Sequence, residues 1–296
     1  MNLRHFLTLA TGLFVTANVL GQANALNAVN PEQIGVKTEA QIKKDNDQPL
    51  EYGYVDDRDV LWAKTTWEII DLDERVNFPL YYPTDTVNIG ADRRSLFDVL
   101  LKSIKTGKLK HVYSDSYFTE KRTLEDLSAT IRKVDTTDFG IEQLNAGEAV
   151  SPEYIEIRDL TAADIAEYHV KGIWYFDKRQ GELKYRLLGI APVAPDVNFI
   201  DDEEPDLVPL FWVFYPHVRD ILHTAKAFNR KNTYMPISFD HLLNARRFSG
   251  SIYKEDNVQG DRRVEDYIND NALFQLLESQ RIKESIRDFE EDMWNY

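Results

Sequence analysis

The sequence predicts an α+β fold: a small, largely antiparallel sheet packed by helices, with a long charged helical segment at the C-terminus. Three observations carry that reading. "GIWYFD" and "LKYRLLGIAP" are β-rich runs on either side of a polar turn at 178–182, where Gly181 supplies conformational freedom. In "RRSLFDVLLKSIKTGKL" the residues Leu96, Val99, Leu100 and Ile104 recur with helical period. From Arg262 to Tyr296 the chain is highly charged, and its Ile282, Ile286, Phe289 and Met293 are spaced 4, 3 and 4 apart. That is a narrow stripe suited to docking on one neighbour. Hydrophobic residues make up 43% of the 296, enough to build a substantial core.

Taken in order, the chain opens with Arg4, an apolar stretch from Phe6 to Leu20 and the small residues of "GQANA". That succession reads as a signal peptide over 1–25, cleaved after Gly21 or Ala25, and the stretch is too short for a membrane span. Residues 26–54 are polar and read as a flexible leader, 55–257 as an α+β core domain, and 258–296 as the C-terminal helical segment. Within the core, Asp56 or Asp57 caps a short helix through Trp62, and 65–71 is a strand. "FPLYYPTD" is a rigid connection because of its two prolines. Helices follow at 94–105, stopped by Gly107, and at 123–133, capped by Thr123 with Leu124, Leu127 and Ile131 as its stripe. Residues 135–150 carry two glycines and read as a loop or insertion, and 151–192 as the sheet core. There "EYIEIRDL" alternates as a half-buried strand before the hairpin. Beyond the acidic loop 196–206, "LFWVFYP" is a buried approach, Pro216 opens a helix over 216–229, and Ser238 caps another in "ISFDHLLNARRF".

The chemistry is largely one of exclusion. A net charge of −15 disfavours nucleic acid and anionic lipid surfaces as partners. The absence of cysteine removes disulfides, thiolate catalysis and any lipid attachment of this chain itself. There is no HExxH, GxSxG, GxGxxG or phosphate-binding loop. An SxxK at Ser251 and Lys254 and a KTG from Lys105 to Gly107 stand in the reverse of the penicillin-binding order, without SxN. His217 and His223 lie six apart and face different sides of a helix. Asp201, Asp202, Glu203 and Glu204 lack the spacing of a calcium loop. No catalytic, cofactor or metal residue is therefore nominated.

One asymmetry remains. Residues 217–254 hold Arg219, Lys226, Arg230, Lys231, Arg246, Arg247 and Lys254 against only Asp220 and Asp240, with aromatic residues interleaved. These cations either balance acids of the same fold or form a docking surface for an acidic partner. Lys226, Arg230, Arg246 and Arg247 are the candidate partner-binding cations, facing an acidic loop of a neighbour or an acidic face of another protein. Ile282, Ile286, Phe289 and Met293 are the candidate apolar contacts.

Several long segments carry a resemblance: "VDDRDVLWAKTTWEIIDLDERVNFPLYYP", "WYFDKRQGELKYRLLGIAP", "LFWVFYP", "FNRKNTYMPISFDHLLNARRFSGSIYKEDN" and "ALFQLLESQRIKESIRDFEEDMW". In this order they resemble the gliding-motility GldN family, which includes PorN. The resemblance implies a non-enzymatic part of the type IX protein secretion system of Bacteroidota. It also implies a periplasmic location, self-association in a ring with the outer-membrane lipoprotein GldK/PorK, and contact with the periplasmic part of GldM/PorM. The alternative is an exported hydrolase, or a carbohydrate- or peptide-binding protein, with no recognisable motif. The hydrolase would need a deep cleft with convergent acids.

Overall fold

The two β-rich runs form the centre of the sheet. In the computed structural model, β6 (Glu167–Asp177) and β7 (Glu182–Pro195) pair antiparallel from Glu167↔Val193 to Asp177↔Glu182. Gly181 in the connection takes φ 65°, a left-handed value that favours glycine. The register shifts between Lys171 and Gly172, and Gly172 is required there. A Cβ on it would lie 2.1 Å from the Tyr185 hydroxyl. β1 (Val60–Asp71) pairs with the free side of β6, and β12 (Ser251–Glu255) with the far side of β1. β8 (Leu207–Pro209) and β9 (Val213–Phe214) both pair with β7, all antiparallel. The path through the sheet is β12-β1-β6-β7-β8.

The structure describes residues 47–85, 93–200, 205–232, 235–269 and 271–294, with Asn30, Glu39 and Lys43. The chain divides into Met1–Gln48 and Pro49–Tyr296, and the fold described here is that of the second unit. The signal peptide expected over 1–25, most of the leader expected over 26–54, and 201–204 of the acidic loop lie outside the described residues.

Helices cover the sheet as the apolar periods require. α1 (Phe78–Tyr81) is a single turn. α2 (Leu96–Lys105) starts where the Ser95 hydroxyl accepts from the Asp98 amide, and buries Leu96, Phe97, Leu100 and Ile104. α3 (Leu124–Ile131) has a full capping box between Thr123 and Asp126 and buries Leu127 and Ile131. These side chains join Ile70, Val170, Leu187 and Ile190 of the sheet, and Phe211, Val218, Leu222, Phe239 and Leu243, in the main core. Each fully buried aliphatic or aromatic side chain there contributes about 1.5–3 kcal/mol.

Several expectations are corrected. Asp56 caps only one 3-10 turn, Asp57–Asp59, and the strand begins at Val60, because Trp62 and its neighbours find a full partner in β6. Leu124 faces solvent rather than the core. Residues 135–150 are not a loop. β4 (Arg132–Thr136) pairs with β5 (Ile155–Asp159), and α4 (Asp138–Asn145) fills the connection. Gly140 lies inside α4 because a Cβ would meet Thr136 Cγ2 at 2.5 Å, so the glycine marks a close approach. The "EYIEIRDL" strand therefore belongs to this two-stranded ribbon, outside the central sheet, and Ile157 is 60% exposed.

The helix expected over 216–229 is α5 (Tyr215–Thr224), after which β10 (Lys226–Ala227) pairs with β11 (Ile237–Ser238). α6 (Phe239–Asn244) is capped by Ser238, as its sequence requires. The C-terminal segment breaks once, into α7 (Val264–Tyr267) and α8 (Ala272–Trp294). Ile282 and Ile286 of α8 are buried with Ile252 and Val264, and Ser279 accepts a hydrogen bond from the Ile252 amide at 2.7 Å. The first half of α8 differs: Leu273, Phe274, Leu276 and Leu277 are 54–65% exposed.

Candidate docking groove

The groove is built from separate pieces of chain. After β1 the chain passes through Arg75 and Val76 into α1, whose Phe78 and Pro79 are followed by Tyr82 and Pro83. Arg93 precedes α2. Phe228, Asn229, Arg230 and Lys231 follow β10, and Arg246, Arg247 and Phe248 follow α6. Together they enclose about 1320 Å³. Among the described residues the lining holds six cations and no carboxylate, in a chain of net charge −15.

The floor is fixed by a buried ion pair. Arg246 Nη1 donates to Glu68 Oε1 at 3.0 Å and Nη2 to Oε2 at 2.7 Å. The Glu68 side chain is 1% exposed. The Arg246 guanidinium lies 4.2 Å from the Tyr185 ring centroid and 5.0 Å from that of Trp174. Two planar hydrogen bonds and flanking rings are what a buried guanidinium needs to offset its desolvation. Arg246 also closes α6. Its amide bonds the Leu243 carbonyl and that of Arg247 the Leu242 carbonyl, with Arg246 at φ 49°. This is a position where glycine is usual, so an arginine there accepts backbone strain of about 1–2 kcal/mol in order to reach Glu68.

The rim is different. Arg75, Arg230, Lys231 and Arg247 are exposed and have no ion-pair or side-chain hydrogen-bond partner among the described residues. Arg93 lies over the Phe228 ring at 4.9 Å. Phe78, Tyr82 and Phe228 are 37–49% exposed. The arrangement presents positive charge and aromatic surface side by side, which suits an anionic group carried next to apolar side chains.

Of the four nominated cations, Arg230, Arg246 and Arg247 thus meet in one groove. Arg246 is engaged by Glu68 of its own chain. Lys226 lies outside the lining, and its Nζ donates to the His223 carbonyl at 3.0 Å. Ile282 and Ile286 are covered by their own sheet, Phe289 stacks on Trp62 with centroids 4.6 Å apart, and Met293 is half-buried. Arg75, Arg93, Phe78 and Tyr82 were missed, since nothing in the sequence ties them to positions some 135–170 residues later. A bulge at Tyr253 sets Ser251 opposite Ile69 and Lys254 opposite Trp67, on one face of the sheet, but no hydrogen bond joins the two as an SxxK site requires. Lys254 Nζ instead donates to the Tyr117 hydroxyl at 2.8 Å, which donates to Asp261 at 2.7 Å.

A second contact bears on the polar leader. Residues 50–54 lie on the core. Tyr52 donates to Asn244 Oδ1 at 2.7 Å, and its ring lies 4.0 Å from the Arg219 guanidinium and 4.8 Å from that of Arg186. Arg219 donates to the Leu50 carbonyl, Arg186 to that of Gly53 at 2.9 Å and Arg179 to that of Tyr54 at 3.1 Å. Arg219 also pairs with the buried Asp240, to which Tyr215 and Asn244 donate.

Among the described residues no His, Asp and Glu side chains cluster as a metal site, and no helix is long and apolar enough to cross a membrane. A search of curated proteins gives no match. The family model "Gliding motility associated protein GldN" matches residues 55–295, a span that contains the central sheet, α1 to α8 and the groove. With most of its length matched, the chain belongs to the GldN family of gliding motility associated proteins.

Proposed function

We propose that this chain is a non-enzymatic structural component of the type IX secretion and gliding machinery. It forms a periplasmic ring with an outer-membrane lipoprotein of the GldK/PorK type and touches the periplasmic part of a GldM/PorM-type partner. The observation that carries this reading is the family match across 55–295. The groove supports it. A hydrolase acting on glycosides works with a pair of carboxylates across the scissile bond, and none of the described residues that line this groove is a carboxylate. Cations beside exposed rings are instead the composition of a protein-docking face.

The test is to tag the chain at its natural level and solubilise the outer membrane in mild detergent. The lipoprotein is expected to co-purify in a large particle, and the untagged soluble fraction to be periplasmic. A chain that elutes alone, with the lipoprotein intact elsewhere in the gradient, overturns the proposal.

A further inference from the structure

We infer that the face of the central sheet turned away from the main core holds a binding site for a small apolar carboxylate, roofed by residues 114–120. The site goes beyond the assembly reading and uses no residue of the groove. The strand registers bring one residue from each of five strands into a row. Lys254 of β12 stands opposite Trp67 of β1, Trp67 opposite Lys171 of β6, Lys171 opposite Gly189 of β7, and Gly189 opposite Phe214 of β9. The two ammoniums share their rings. Lys171 Nζ lies 4.8 Å from the Trp67 centroid and 4.5 Å from that of Tyr117, and Lys254 Nζ 4.4 and 4.9 Å. Like charges held against the same rings repel until an anion joins them. Lys171, 8% exposed, donates to the Ser116 carbonyl at 3.0 Å and Lys254 to the Tyr117 hydroxyl, and neither pairs with a carboxylate among the described residues. Asp261 is reached only through the Tyr117 hydroxyl, and Asp115 accepts from the amides of Tyr117, Thr119 and Glu120 within the roof itself. Trp67 Nε1, in the same box, is a buried donor with no partner among the described residues. Burial first, and the Lys254 charge second, hold the Lys171 ammonium below its ordinary value, an effect a bound carboxylate reverses. Three donors short of an acceptor are the makings of an oxyanion site.

The roof shows what shape the ligand takes. It joins β2 (Val112–Tyr113) to β3 (Lys121–Arg122), and it lays a neutral carbonyl on Lys171 and a ring over Gly189. That ring is Phe118, which meets Tyr113 and Phe214 at centroid separations of 5.3 and 5.2 Å. A Cβ on Gly189 would fall 2.5 Å from Phe118 Cζ, so the glycine makes the seat for the ring. Lys171 Nζ lies 5.7 Å from the Phe118 centroid. An acceptor on the ammonium with a ring at that remove describes an arylalkyl carboxylate. Its charged oxygen makes a stronger bond to the buried cation than the Ser116 carbonyl does. Phe118 also holds φ 61°, a value that a residue with a β-carbon adopts at a cost. The roof is therefore closed under strain, and it lifts to exchange its own carbonyl and ring for those of the ligand.

The experiment uses the full mature chain with fluorotryptophan at its five tryptophans, read by fluorine NMR, and Trp67→Phe assigns the Trp67 signal. The probe is phenylpropionate. A saturable shift of the Trp67 signal is expected, with none from phenylpropanol, which keeps the ring and loses the charge. Inorganic phosphate should bind at least about tenfold more weakly, because it brings no ring to the seat over Gly189. Lys171→Met keeps the apolar stem and should weaken binding at least about tenfold. Should that variant fail to fold, Lys254→Met, which is less deeply placed, carries the same expectation. Phe118→Ala empties the seat and should tighten binding about threefold or more, by raising the fraction of chains with the roof open. A Trp67 signal unmoved by phenylpropionate in both the parent and Phe118→Ala overturns the inference. So does an equal response to phenylpropanol, equal binding of phosphate, or undiminished binding in a folded lysine variant. None of these readouts involves a partner protein, so a failure here and a failure to co-purify with the lipoprotein are separate results.

Discussion

Arg246 and Arg247 are consecutive in sequence and opposite in role. Arg246 turns inward to a bidentate pair with Glu68 beneath the groove, while Arg247 stands at its rim without an acid among the described residues. α8 repeats the contrast with apolar side chains: Ile282 and Ile286 are buried on its own sheet, and Leu273, Phe274, Leu276 and Leu277 face outward. The difference teaches that a run of charge or of apolar residues does not declare whether it holds the fold or faces something else. The backbone decides, by what it places within reach.

The sharpest way to break the comparison is to truncate the two arginines separately. Arg246→Ala leaves Glu68 buried without its cation and is expected to cost about 3–5 kcal/mol, read from the midpoint of chemical denaturation. Arg247→Ala should stay within about 0.5 kcal/mol of the parent. Equal losses would mean that rim and floor are not distinct. The same contrast along α8 is next in size. Ile286→Ala is expected to destabilise by about 2–5 kcal/mol and to hasten proteolysis of the C-terminal segment. Leu276→Ala should change stability by no more than about 0.5 kcal/mol.

The smallest effect sharpens the picture of a cation given an internal partner. Asp261, to which Tyr117 donates, has its carboxyl held below the usual 3.8 by that bond. Tyr117 is pushed up from 10.0 to about 12, by partial burial first and by the Asp261 carboxylate second. The carboxylate's contribution is present above 3.8 and is lost as pH falls through its lowered value. The tyrosine's is present below 10 and is lost as pH rises from 10 towards about 12. Tyr117 is half-exposed, so solvent screening keeps the effect to under about 1 kcal/mol. Tyr117→Phe should flatten the alkaline loss of stability and shift the acid limb slightly upward in pH. An unchanged profile between pH 9 and 12 would remove this pair from the account.

What was legible in the sequence was local. The central hairpin announced itself because β-rich runs flank a glycine turn, α2 because Leu96, Val99, Leu100 and Ile104 recur with helical period, and α6 because the Ser238 cap precedes an apolar run. β5 was legible as a strand, but β4 and its pairing with β5 were not, for a physical reason: most of the ribbon's residues are exposed, so "RKVDT" shows no alternation, and Gly140 looks like a breaker while serving a close contact. The groove was half legible. Arg230, Arg246 and Arg247 stood out as a basic excess in an acidic chain, whereas Arg75, Arg93, Phe78 and Tyr82 join them only through tertiary packing. The inward turn of Arg246 had no sequence signal at all, since it depends on one left-handed residue and a glutamate 178 positions earlier.

The strap at 50–54 is gripped by its main chain. Arg219, Arg186 and Arg179 bind the carbonyl oxygens of Leu50, Gly53 and Tyr54, and an oxygen of that kind is present whatever the side chain. Only Tyr52 contributes a side chain with a specific seat, between two guanidiniums and Asn244. The letters of this stretch can therefore change while its path stays fixed, so long as the one aromatic peg remains. A homologue would be recognised there by three arginines far away in the chain rather than by anything spelled out in the strap itself.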